Sequence, residues 1–346
     1  LPEGTPTLRT TPLPSTVEMP AHNKKSLVNA PAPEVTETVD GLSLPKRGLK
    51  DVTPSKLYAH RFTRKPEQVL ISFVIMNAGL DPQSVGLMLA LPPEVTIAYS
   101  PYTRPESSYI KHMRAAGHEV WTMLPTMNDR YPSDDPGPLG IIGRMPTEEI
   151  ARRTKLAMGA IAGSVGFVLP PDEAVSILKG TLSPVLDEIS GRGLLLLSTH
   201  PSRSIDQITT TKGMEEIIRR GDLILDPSPN EPLIRSKLAG IMEAATAKGE
   251  YVVLLSARPQ SLQLLAQWLK ETKLEEPFAL APLSAIYLPK EAPAVAAPVD
   301  DGHGGGHGEK KTEKPKPKEK KPKPLIQDQY KKPAEGAKDS GHGGGH

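Results

Sequence analysis

Two adjacent carboxylates, Asp134 and Asp135, form a tight aspartate pair in the central part of the chain. Such a pair can hold a hard cation or divide general acid and base work between its members. It stands in the run Tyr131-Pro132-Ser133-Asp134-Asp135-Pro136-Gly137-Pro138, where Asp side chains ordinarily cap their own turns, so turn capping is the expected use. His200, with Ser198 beside it and Asp206 or Asp226 downstream, has the residue types of a base, nucleophile and orienting acid. No Gly-x-Ser-x-Gly elbow accompanies them, which argues against acyl transfer. Arg203 and Arg258 follow apolar runs and carry planar forks suited to a carboxylate or phosphate, with solvated loop arginines as the plainer reading. His60, His112 and His118 are isolated, and His118 is expected to be structural.

The C-terminal segment has another chemistry. Gly302-His303-Gly304-Gly305-Gly306-His307 recurs as Gly341-His342-Gly343-Gly344-Gly345-His346. The imidazoles of His303, His307, His342 and His346 suit weak Zn²⁺, Ni²⁺ or Cu²⁺ binding, with a solvated low-complexity tail as the alternative. Lacking a rigid support, they do not build a catalytic site. Between the repeats, Lys310 to Pro324 alternates Lys with Pro and a few Glu, a stiff cationic stretch fitted to anionic lipid, an acidic glycan or the acidic face of a partner, or to a plain spacer. Nucleic acid is not expected: net charge is +2 and aromatic residues are 4% of the chain, so no stacking platform accompanies the charge.

The elements that position these groups follow from composition. The 346 residues include 38 prolines and 29 glycines, unevenly spread. Residues 1–66 read as a Pro-rich flexible linker, 67–290 as one globular domain, and 291–346 as a low-complexity Lys/Pro and Gly/His tail. Cysteine is absent, which excludes disulfides and thiolate chemistry. No apolar run approaches the roughly 20 residues of a membrane helix. The chain starts at Leu1 rather than Met, from which a preceding signal peptide or anchor is expected.

Within 67–290, short apolar runs alternate with helical patterns. Strands are expected at Val69–Ile75, Val95–Tyr99, Glu119–Leu124, Val165–Leu169, Leu194–Ser198, Leu223–Leu225, Tyr251–Ser256 and Phe278–Ala281. Helices are expected at Ser107–Ala116, Thr147–Ala160, Asp172–Gly191, Gly213–Arg220, Pro232–Lys248 and Ser261–Thr272. Thr147 reads as an N-cap, and Gly117, Gly191, Gly221 and Gly249 as helix ends. Strict alternation predicts a parallel α/β architecture, wound as a sheet or closed as a barrel, and a distorted (β/α) barrel of about seven strands is favoured. Its chemistry belongs at the strand C-termini, yet the first strand ends in Met76-Asn77-Ala78-Gly79, a thioether and an amide where paired carboxylates would be sought.

Several phrases resemble the divergent polysaccharide deacetylase family of Gram-negative bacteria: Leu91-Pro92-Pro93-Glu94-Val95-Thr96-Ile97-Ala98, Arg114-Ala115-Ala116-Gly117-His118-Glu119-Val120, and the run Tyr131 to Pro138. Weaker echoes fall at Pro184–Leu197, Asp222–Leu238 and Trp268–Leu283, so the resemblance covers nearly all of 67–290. It implies a metal-dependent carbohydrate esterase barrel, whose metal-bound water needs carboxylate or imidazole partners. The family's paired aspartates correspond here to Met76 and Asn77, and its His before Leu-Pro and the following Glu to Met123 and about Met127. The Asn-Asn-His block after the Val-Gly strand has no equivalent beyond Phe167, and the late Gly-His-Pro motif appears as Ser256-Ala257-Arg258-Pro259. Met76, Asn77, Met123, Met127, Phe167, Ala257 and Arg258 are therefore expected to line a vestigial, largely apolar cleft, with no cofactor in the core.

The function this implies is that of a pseudoenzyme acting as a binding or scaffold module. Its expected place is the periplasm, tethered to the inner membrane through a preceding anchor, with an envelope protein complex or a glycan as partner. Two alternatives stay open: an active esterase with relocated ligands, and metal handling by the His-rich tail.

Overall fold

The ten residues Val69–Ala78 are buried except Asn77, as a central strand with side chains packed on both faces requires. The computed structural model describes residues 26–103, 109–170, 182–199, 210 and 212–288. In chain order come a hairpin, β1 (Thr36–Val39) and β2 (Leu42–Pro45), and one helical turn, α1 (Pro54–Leu57). There follow β3 (Val69–Ala78), α2 (Gln83–Leu89), β4 (Thr96–Tyr99), α3 (Tyr109–Ala116), β5 (Val120–Met123), α4 (Thr147–Ala160), β6 (Ser164–Leu169), α5 (Leu182–Gly191) and β7 (Leu195–Ser198). The last elements are β8 (Ile218–Arg220), β9 (Leu223–Ile224), α6 (Glu231–Ala239), α7 (Ile241–Lys248), β10 (Glu250–Ser256), α8 (Pro259–Thr272), β11 (Phe278–Leu280) and a 3₁₀ turn, Leu283–Tyr287.

The main sheet is parallel in the order β8-β7-β6-β5-β4-β3-β10-β9. Its two ends meet in one stretch of backbone. Gly221 donates its amide to the carbonyl of Ser198 at the end of β7, and the next residue, Asp222, donates to Val252 of β10, both at 2.8 Å. Successive amides of an extended strand point to opposite sides, so β8 and β9 are two halves of one strand that closes the sheet into the expected distorted barrel. β10 runs along one side of β3, while β11 and β4 share the other, β11 at Val69–Ile71 and β4 from Val74 onward.

Alternation along β3 separates two layers. Ile71, Phe73 and Ile75 face α2, α6 and α8, and Val74 and Met76 face the interior with Ala98, Trp121, Met123, Leu197, Val252 and Leu254. The N-terminal end of the barrel is plugged by the 3₁₀ turn, which Glu119 secures. The Glu119 carboxylate, fully buried, accepts from His60 N at 2.9 Å, Trp121 Nε1 at 3.2 Å, Ser284 N at 3.2 Å and the Ser284 hydroxyl. Burial raises its pKa against the pull of those four donors. Such a brace at the bottom of a barrel belongs to stability.

Several sequence expectations need correction. Residues 26–66 are not a flexible linker: Val35 and Leu44 are fully buried, and Tyr58 is nearly so. A two-residue turn at Asp40–Gly41, with φ of 51° and 78°, folds the hairpin, and its apolar side chains find cover on α4. Residues 1–25 lie outside the described residues, as does the tail from 289 onward. Gly213–Arg220 does not form the expected helix; Ile218–Arg220 is β8, and Gly221 is the closing strand's residue rather than a helix end. The expected helix 232–248 is two helices broken at Gly240. Thr147 is the first residue of α4 rather than its cap.

Candidate functional site at the barrel mouth

At the C-terminal end of the barrel, β3 bends. Its register with β4 shifts between Ile75 and Ala78, and Asn77 sits there with φ of 57°, a left-handed conformation that asparagine tolerates. Gly79 follows at φ of 86°, and a β-carbon there would lie 2.2 Å from Thr103 Oγ1. The bend exposes Asn77 and leaves Met76 only 3% exposed, its carbonyl accepting from Ala257 N at 2.9 Å.

Of the seven residues expected to line a cleft, the structure brings Met76 and Met123 together, in the apolar interior around Trp121. Asn77 and Arg258 lie at the rim, exposed. Phe167 points the other way, into the layer beneath α4 and α5, because the β6 residues that face inward are Val165 and Val168. Met127 packs against that same outer layer, and its Sδ accepts from Gly143 N at 3.0 Å. Ala257 packs toward α2 and α8, with its carbonyl accepting from Ser84 Oγ at 2.6 Å. The mouth is thus narrower in residues than the sequence suggested.

Asp226 is the carboxylate that the sequence placed only loosely. It is 1% exposed just after β9, and it accepts from Ser256 N at 2.9 Å and from Ser261 Oγ at 2.6 Å. Its backbone carbonyl accepts from Arg258 Nη1 at 3.2 Å. It therefore ties the end of the closing strand to β10 and the first turn of α8. Among the described residues its carboxylate is engaged by Ser256 and Ser261. His200, Arg203 and Asp206 lie outside the described residues. Asp134 and Asp135 behave as turn caps: Asp134 accepts from Asn128 Nδ2 and Arg130 Nη2, both at 2.6 Å, and Asp135 from Gly137 N at 2.8 Å. The bond from Asn128, with Arg130 beside it, lowers the pKa of Asp134. His118 is buried against the Val95 carbonyl at 2.8 Å, and burial lowers its pKa, as a structural histidine behaves.

These elements, in this order, match the family described as divergent polysaccharide deacetylase over residues 73–287, more than half of the chain. The chain belongs to the divergent polysaccharide deacetylase family. The crystal structure of an uncharacterized protein, ATU2773 from Agrobacterium tumefaciens C58, has the same fold, with a TM-score of 0.65 and 23% sequence identity over 71% of this chain and 99% of that one. No curated protein matches the sequence.

The fold family implies a catalytic metal, and the described donors do not fit one. Among the described residues no group of three or more His, Asp or Glu side chains is placed to hold an ion. Met76 and Met123 offer thioethers sealed in an apolar interior, poor partners for a hard or borderline cation that must activate water.

Proposed function

We propose that this polysaccharide deacetylase-like domain is a non-hydrolytic binding module of the bacterial envelope. It works as an accessory subunit in the periplasm, held near the inner membrane from its N-terminal side. The observation that carries the reading is the burial of Met76 and Met123 around Trp121, where an acid pair and an imidazole would have to meet water. A closed apolar interior stabilises the barrel but gives a hydrolytic water neither ligand nor base. Recognition then falls to the exposed rim, where Asn77 and Arg258 present an amide and a guanidinium. Both groups suit polar glycan or protein surfaces.

The test is acetate release by the full chain from N- and O-acetylated polysaccharides, with Zn²⁺, Co²⁺ or Ni²⁺ added. Turnover that a chelator abolishes would sink the proposal. No turnover, combined with retention of a glycan or an envelope protein that Arg258→Glu weakens, is the expected result.

A further inference from the structure

The N-terminal hairpin roofs a cavity of about 270 Å³ far from the barrel mouth. Its walls include Leu44, Tyr58, Met158, Ile161, Phe167 and Leu194, each 3% exposed or less. Phe167, expected at the cleft, is thus one wall of this space instead. The polar lining is hydroxyl: Thr36, Ser43 and Ser164, the last already bonded to Thr122 Oγ1 and the Gly166 carbonyl. Among the described residues no charged side chain lines it. Dry apolar cavities of about 150 Å³ hold benzene, so this one has room for several methylenes.

Beyond the hairpin the chemistry changes. Thr36 and Pro45 line the cavity, while the next residues of the chain, Glu37 and Lys46, line a second and more open cleft with Arg47, Asp187, Glu188 and Arg192. The acids there are engaged. Glu37 and Glu188 accept from Arg192 at 2.7 and 3.2 Å, Glu188 also pairs with Lys155 at 3.1 Å, and Asp187 pairs with Lys212. Among the described residues neither Lys46 nor Arg47 has a carboxylate partner, and Arg47 donates to the Ser190 carbonyl at 2.9 Å. Two cations without a carboxylate partner among the described residues thus follow Pro45, a wall of the uncharged apolar cavity, directly along the chain.

We propose that this is a binding site for a free short- to medium-chain fatty acid, with its methylenes under the hairpin and its carboxylate against Lys46 and Arg47. The cations supply charge complementarity, and the cavity supplies a chain-length limit.

The test is calorimetric titration of the full chain with hexanoate, octanoate and decanoate at low salt. Affinity is expected to tighten about fourfold per added methylene until the cavity is full. The reversals Lys46→Glu and Arg47→Glu together are expected to weaken decanoate at least about tenfold while leaving octanol unchanged. Gly159→Leu, whose β-carbon would face Leu44 Cδ2 at 3.6 Å, is expected to lower the chain-length limit. Because Gly159→Leu also alters the helix, the charge reversals at the surface stand as an independent check. Absence of saturable decanoate binding overturns the proposal, as does affinity that ignores both chain length and the reversals. Binding to anionic phospholipid vesicles without binding to monomeric decanoate also overturns it, and assigns the cations to a membrane surface.

Discussion

Gly166 lies flat against Trp121: a β-carbon on Gly166 would sit 2.6 Å from Trp121 Cζ3 and 2.4 Å from the carbonyl oxygen of Leu195. Trp121 is fully buried and fills the barrel, so β6 can pass between it and β7 only without a side chain. Gly166→Ala forces either the indole or the β7 backbone to move. Overpacking of this kind costs about 3 kcal/mol, or a fall of about 6–12 °C in Tm for a domain of this size. The check is the urea midpoint at unchanged slope. A midpoint equal to that of the native protein would mean that the indole is not wedged.

Glu149, in the first turn of α4, accepts from Arg152 Nε and Nη2 at 2.7 and 2.8 Å and from Arg153 Nε at 2.7 Å. These bonds, Arg152 first, hold its carboxyl down to about 2. The folded pKa lies below the unfolded value of about 4.3. The contribution is therefore present above that value and lost as pH falls through about 2. Glu149→Gln is expected to melt below the native protein at pH 7, with the gap closing toward pH 2 and narrowing in high salt. A gap of the same size at both pH values would place the effect in packing rather than charge.

Restoring acids to the mouth separates its two residues. Asn77→Asp should be nearly silent, since the side chain is exposed and aspartate tolerates the same left-handed backbone. Met76→Asp places a carboxylate at a position 3% exposed among Val74, Trp121 and Met123. That buried, unpaired charge costs about 3–5 kcal/mol. The double variant is expected to lose stability without gaining Zn²⁺-dependent protection beyond that of the native chain. An upward thermal shift with one added ion per chain would show that the pocket still reads metal, and would count against the binding-module proposal.

What the sequence disclosed depended on burial. The parallel strands were legible because a strand covered on both faces is a continuous apolar run, and Val69–Ile75 and Tyr251–Ser256 are such runs. β8 was not, because only Ile218 of its three residues is buried, while Arg219 is half-buried with its guanidinium against the Ile286 carbonyl and the Tyr287 ring, and Arg220 is exposed. Met214, Ile217 and Ile218 then imitate a helix stripe. The hairpin carries its own signal, since Thr-Glu-Thr-Val-Asp-Gly-Leu-Ser-Leu places alternating apolar residues around an Asp-Gly turn, but its Pro-rich surroundings suggest a linker. At the mouth the sequence could say which residue types stood at strand ends. It could not say which way Phe167 pointed, because a bulge between β5 and β6 resets the alternation.

The N-terminal arm is fastened by one buried cation. Arg114 is 4% exposed, donates to the carbonyls of Val28 and Gly163 at 2.6 and 2.8 Å, and lies 4.9 Å from the centre of the Tyr58 ring. Tyr58 in turn accepts from Ala32 N at 2.8 Å, and Leu27 N donates to the Arg114 carbonyl at 3.1 Å. Burial lowers the Arg114 pKa to about 10, still high enough to keep the guanidinium charged at neutral pH. Lysine keeps the charge but cannot span two carbonyls while stacking on a ring. Arg114→Lys is thus expected to loosen the arm locally: amide exchange at Leu27 and Ala32 should quicken about tenfold, a loss of about 1.4 kcal/mol in local opening. Amides of β3, which has no hydrogen bond to the arm among the described residues, should keep their protection. Equal acceleration in both places would mean that Arg114 supports the whole barrel, and unchanged exchange at Ala32 would mean that Tyr58 holds the arm alone.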